Sequence, residues 1–297
     1  MIKPKNIRNL RTYIIFAGIP TLAFLTVVIL PFIYGVYLTF TDFNAVETVN
    51  QFLSKFVGLS NYVKAISDSA FRESFLKTFK YVFYTMVFTN LIAFFLAYIL
   101  TSGIKGQNFF RVAFFTPNLI GGIILGFIWQ FIFNSAFPYI GYKLNIPLFY
   151  DSWLATPQKA FWALVTVTVW QYVGYMMMIY IAGFVSIPQD LLEAATIDGA
   201  GKWHKLVRII LPLMVPSFTV TIFLTLQRSF MVYDLNLALT RGGPFKSTEL
   251  VSMHVYNEAF LYQRYAIGQA KALILFITVA LITMIQVYFS KKAEVEI

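Results

Sequence analysis

Six long stretches of this sequence carry no charged side chain, and they restrict what the chain can fold into. They are Thr12–Thr41, Tyr81–Ile104, Val112–Tyr142, Ala160–Gln189, Ile209–Gln227 and Ala272–Ser290. Each is close to or above the roughly 20 apolar residues that a helix needs to cross a bilayer. Only 12% of residues are charged and 59% are hydrophobic, whereas soluble domains carry about a quarter charged. The expected fold is therefore all-α and polytopic. One transmembrane domain spans 1–297, with helices near Tyr13–Thr39, Tyr81–Ser102, Val112–Asn134, Phe161–Ser186, Leu213–Asp234 and Ala266–Phe289. Pro20 and Pro31 lie inside the first run, where tilt or a kink is expected.

The net charge of +10 does not point to nucleic acid, because the basic residues flank the apolar runs and form no single patch. With both termini inside, the inside segments carry 11 Lys and Arg over 53 residues, against 9 over 92 outside. That density favours cytoplasmic termini. Lys3, Lys5, Arg8 and Arg11 give a basic start. The following apolar run is too long for a cleaved signal, so a retained anchor helix is expected. Outside, Phe56–Phe79 alternates apolar and polar residues like a surface helix, and Leu239–Phe260 opens on a Gly-Gly-Pro turn.

Catalytic signatures are missing. There is no cysteine, no GxxxxGK[ST] phosphate loop, no HExxH and no GxSxG. His204 and His254 fall on opposite sides of the bilayer, and each reads as a solvated loop residue. No Asp or Glu falls deep in a span, which argues against an ion-coupled secondary transporter. A membrane enzyme is disfavoured by the missing motifs. Transport with energy supplied from elsewhere is the leading class.

The segment EAATIDGAGKWHKLVRIILP, Glu193–Pro212, is a polar loop of 187–212 on the inside. Gln189–Ile197 can form two helical turns after Pro188, and Asp198-Gly199 is a turn signal. A second short helix over Lys202–Ile210 follows, and Pro212 is expected to stop it from continuing into the next span. This is either a capped surface loop or a knuckle that docks in a partner's groove. The stretch resembles the EAA loop of permease subunits in binding-protein-dependent ABC importers, E-A-A-x-x-x-G followed by I-x-L-P. The matching residues are Glu193, Ala194, Ala195, Gly199, Ile209, Leu211 and Pro212. Asp198 and Trp203 are similar to the carbohydrate branch of that family, as are FVGLSNYVKAISD (Phe56–Asp68) and LTRGGP (Leu239–Pro244). The match is nearest to maltose-type and multiple-sugar permeases. Leu206 departs from the Phe often found there but remains apolar.

The resemblance implies a type I importer permease in a prokaryotic cell membrane, working in a heteromeric complex. The partners would be a second permease, two cytoplasmic ATPases and an external solute-binding protein that delivers sugar. Glu193 would contact the ATPase, Ala194 and Ala195 would give a close fit, and Gly199 the bend. No cofactor would bind this chain, and ATP and Mg2+ would sit in the partner ATPases.

Polar side chains within spans are costly unless they face a wet interior or another helix. Gln130 and Asn134, Gln171 with Tyr172 and Tyr175, and Thr225 with Arg228 and Ser229 recur at helical spacing. They are candidates for a sugar pathway, the alternative being that they bond helix to helix. Arg228 could meet a substrate, snorkel outward, or pair with an acid such as Asp234. A neutral oligosaccharide is the first expectation. An acidic saccharide or glycerol phosphate is the alternative, and a stand-alone secondary transporter a weaker one. Gly122 and Gly126 form a GxxxG that reads as a packing face.

Overall fold

The computed structural model describes residues 16–44 and 54–294. The basic residues at 3, 5, 8 and 11, and the start of the first expected span, lie outside them. The described chain is helical, with one isolated β-bridge between Thr41 and Phe56. Helices α1 (Phe16–Leu38), α3 (Ser69–Thr101), α5 (Gly122–Leu144), α6 (Pro157–Val185) and α12 (Tyr265–Lys292) are long and apolar enough to cross a membrane. A sixth span is broken: α8 (Lys202–Leu213) and α9 (Val215–Phe230) meet at 66°. Shorter helices are α2 (Ser60–Ser67), α4 (Gln107–Phe115), α7 (Gln189–Ile197), α10 (Asp234–Leu239) and α11 (Val251–Tyr256).

Several boundaries differ from expectation, each for a local reason. The third expected span, Val112–Asn134, is interrupted. α4 passes into a tight turn at Thr116–Leu119 with Pro117 in its first positions, and Ile120 and Gly121 are extended. Pro117 cannot donate to the helical ladder, and the helix that crosses is α5. The second span begins earlier than expected. Asp68, extended at ψ 114°, ends α2, and residues from Ser69 onward are the first turns of a 33-residue α3. The expected surface helix Phe56–Phe79 is thus divided between two elements. Pro212 does not stop α8. The break falls at Met214, and Pro216 sits in the first turn of α9, where its missing N–H costs little.

Four π turns occur among the described residues, and three end two residues before a proline. Leu25–Ile29 precedes Pro31, Ile132–Ala136 precedes Pro138, and Leu206–Ile210 precedes Pro212. Proline removes one N–H and its ring clashes with the carbonyl four residues back. Widening the preceding turn to i→i−5 bonds lets the helix pass.

The chain divides into two compact units. In the unit holding residues up to Ser69 and Val255–Ile274, the Gly58 turn (φ +58°) delivers Asn61. Its buried amide donates to the carbonyls of Thr39 (2.9 Å) and Thr41 (2.7 Å), satisfying the end of α1. The Tyr62 hydroxyl lies 2.6 Å from Thr39 Oγ1. Lys271, 1% exposed, holds Asp68 at 2.6 Å and Glu258 at 2.5 Å. Arg264 Nε also meets Glu258, at 2.6 Å.

In the other unit, α6 is the central helix, with 67% of its apolar window buried inside the chain. Thr156 caps its start by accepting from Lys159 N–H, and Pro157 follows at the first position. α3 runs parallel to it: Tyr84 packs against Trp162 near one end (4.8 Å) and Tyr98 against Phe184 near the other (5.9 Å). Gly174 lets α4 close in, since a Cβ there would lie 1.8 Å from Phe114 O. The Gly122–Gly126 face is a packing face. Added Cβ atoms would fall 3.0 Å from Asp234 Cβ and 2.5 Å from Ala238 Cβ on α10. The LTRGGP turn is tied by Thr240, which donates to Asn236 Oδ1 (2.8 Å) and accepts from Thr248 (2.7 Å).

Candidate functional site

Two places answer to the candidate residues. The first is the polar loop. α7 ends in a Schellman arrangement: Gly199 N–H donates to Thr196 O (3.1 Å) and Ala200 N–H to Ala195 O (2.9 Å), with Gly199 at φ +78°. That φ is why glycine stands there. The two arms are pinned by Lys205 Nζ donating to Thr196 Oγ1 at 3.0 Å. Glu193, Ala194 and Asp198 are exposed, while Leu206 and Pro212 are half-buried. Ala195 is buried against its own chain, 8% exposed. The apolar tip is instead Ile197 (87% exposed) and Trp203 (75% exposed). Ile197 was not singled out from sequence. An isoleucine beside the Asp-Gly turn was the available signal.

The second is a cavity of about 380 Å³ lined by Gln171, Tyr172, Arg228, Asp234 and Gly122, among others. Gln171 Nε2 donates to Ile120 O at 3.0 Å, filling a carbonyl freed by the break before α5. Arg228 lies over the rings of both Tyr172 (4.9 Å) and Tyr175 (4.7 Å). Its Nη1 donates to Asn118 Oδ1 at 2.9 Å. Arg228 thus fastens α9 to α6 and to the Thr116–Leu119 turn. Asn118 was missed from sequence because its partner is 110 residues away.

The other candidates are placed elsewhere. Ser229 accepts from Thr85 (3.0 Å), and Thr225 accepts from Asn90 (3.3 Å). Tyr180 donates to Asn90 (2.8 Å) and accepts from Thr221 (2.7 Å). These bonds join α3, α6 and α9, which is the helix-bonding role weighed above. Gln130 donates to Leu239 O (3.4 Å), while Asn134, exposed, accepts from Ser152. His254 corrects the solvated-loop expectation. It is 5% exposed, with Nδ1 3.1 Å from the Glu249 carboxylate. Lys271, also unmarked in the sequence reading, was signalled by a lysine within the sixth span.

The comparisons with known proteins agree with this architecture. Residues 89–295 match the binding-protein-dependent transport system inner membrane component family. The chain belongs to that family, and it is a multi-pass membrane protein and a transport permease subunit. It is 44% identical, over 99% of both chains, to the "Probable starch degradation products transport system permease protein" of Thermoanaerobacterium thermosulfurigenes. It is 33% identical to the multiple sugar-binding transport system permease protein of Streptococcus mutans, covering 89% of this chain and 90% of the relative. Its fold matches a chain of a bacterial ABC transporter that imports the acidic polysaccharide alginate. The TM-score is 0.81 at 20% identity, over 97% of this chain and 98% of the other.

Proposed function

We propose that this permease imports an oligosaccharide, working with a second permease, two cytoplasmic ATPases and an external binding protein. The observation that carries this reading is the Glu193–Pro212 knuckle. It is rigidly capped, pinned across its arms, and presents Ile197 and Trp203 outward. Exposed aromatic anchors on a rigid helical tip are what a groove on a partner takes up. The sugar relatives named above support the substrate class. ATP and Mg2+ belong to the ATPases in this reading, and both termini lie on the cytoplasmic side with the knuckle.

Gln171, Tyr172, Tyr175 and Arg228 are the residues proposed to contact sugar. Amides and aromatic faces suit hydroxylated rings, and three of the four line the same cavity. Arg228 keeps an acidic saccharide or sugar phosphate as the second reading. Its guanidinium already lies over two tyrosine rings and is bonded to Asn118, which favours the neutral one.

The test is Glu193→Ala combined with Gly199→Asp in the assembled transporter. Binding-protein-stimulated ATP hydrolysis should be lost, with the binding protein's own sugar affinity unchanged. Normal ATP-driven uptake by that double variant refutes the docking role. Wild-type chain alone in vesicles should transport nothing. Uptake without ATPase would favour a stand-alone carrier.

A further inference from the structure

Two cavities on the α3–α6 face share one residue, Trp162. The first is an apolar groove of about 550 Å³, walled by Ile92 and Leu96 of α3, Val169 and Val173 of α6, and Phe114 and Pro117. The second, about 490 Å³, lies at the end of α3 and α6 remote from the Glu193 loop and is lined by Lys77, Lys80, Gln158 and Ser247. Lys77, Lys80, Tyr84, Phe88, Ile92 and Leu96 follow three- and four-residue steps down one face of α3. The sixteen residue steps from Lys80 to Leu96 rise about 24 Å, enough for the ~15 Å depth of one hydrocarbon leaflet and part of its headgroup layer.

We propose that this face binds one anionic phospholipid from the leaflet opposite the Glu193 loop. The headgroup would sit in the dibasic cavity and one acyl chain in the groove. The chemistry changes where a phospholipid's does. Save for Thr166 and the Trp170 indole, the walls below Trp162 are apolar. Above it stand two lysines, an amide and the Ser247 hydroxyl, whose oxygen is buried without a hydrogen-bond partner. Tyr84 and Trp162, 4.8 Å apart, mark the boundary, and such aromatics settle at headgroup level. Lys77 is held by Glu73 (3.5 Å) and donates to Lys246 O (3.1 Å). The Lys80 ammonium rests over the Phe161 ring at 4.8 Å, at the cavity's edge. A phosphate with a free acidic charge matches this pair, and a zwitterionic headgroup matches it less well. A helix of another subunit would fill the groove but would leave the dibasic end unaccounted for.

The test uses the permease copurified with its natural partners. Native mass spectrometry would count retained phosphatidylglycerol against phosphatidylcholine. The wild type should prefer the anionic lipid roughly tenfold. Lys77→Gln with Lys80→Gln should bring the preference to within about twofold. Thr166→Trp, at an exposed position lining the groove, should remove the tightly held lipid altogether. The chain has no cysteine, so Thr166→Cys carries a photoreactive probe at one place. Cross-linking to lipid supports the site. Cross-linking to another protein chain overturns it, as does an unchanged lipid preference in the double lysine variant.

Discussion

Trp203 and Arg228 are both large side chains in unusual settings, and they separate two kinds of work. Trp203 is 75% exposed on a loop that its own fold has already capped, so truncation removes little internal packing. Trp203→Ala should shift the unfolding free energy by no more than about 0.5 kcal/mol. It should weaken ATPase binding at least about tenfold, as loss of an interface anchor does, measured by retention of the ATPase on the purified permease. Arg228 is the reverse case. A lysine at this position keeps the charge but forfeits the broad guanidinium that covers the rings of Tyr172 and Tyr175, a contact worth about 2 kcal/mol when desolvated. Arg228→Lys should assemble normally and lose most sugar uptake. Normal uptake would leave Arg228 as a fastener alone. The sequence did not predict which polar residues share the cavity. Thr225, Arg228 and Ser229 read as one stripe, yet adjacent positions on a helix are about 100° apart. Arg228 turns to the cavity while Ser229 turns to Thr85.

At the scale of elements, close approach governs. α4 reaches α6 only because Gly174 has no side chain where Phe114 O passes. Gly174→Ala forces backbone apart and should cost about 3 kcal/mol or more, at or beyond the usual overpacking range. A melting curve of the detergent-solubilised complex would show it, and an unchanged midpoint would mean the helices do not pack this way. Element number and identity were legible, because long uncharged runs have few other folds. Register was less so. Gln130 and Asn134 stand four apart and should share a face, but the π turn Ile132–Ala136 intervenes. They bond to Leu239 and Ser152 respectively. A proline at 138 was the visible sign, though hydrophobic periodicity alone does not report an inserted residue. The break at Pro117–Gly121 was similarly hidden inside an apolar run whose composition reads as one span.

For the whole molecule, the sequence located the knuckle and the structure showed how it is attached. α1 has none of its apolar window buried within the chain, whereas α6 has 67% buried, so the two membrane helices have very different surroundings within one subunit. The long-range bonds, such as Arg228 to Asn118 across 110 residues, had no local signature from which to read them. The attachment of the knuckle also has a consequence for how the chain could change over time. Between Trp203 and α9 lies the π turn Leu206–Ile210, which holds one residue more than an α-helix would use. The wide turn takes up that residue in place, so removing one residue from 206–210, with Pro212→Ala to relieve the ring clash, should restore ordinary helical winding and leave Trp203 near its present heading about the axis of α8. Such a variant should fold and keep the contact proposed for the ATPase, and cysteine cross-linking at position 203 would report an unchanged heading; a new heading would mean that the wide turn itself sets the angle of the tip. The wide turn is thus a place where the chain can gain or lose a single residue over time while the tip keeps its heading and its surface.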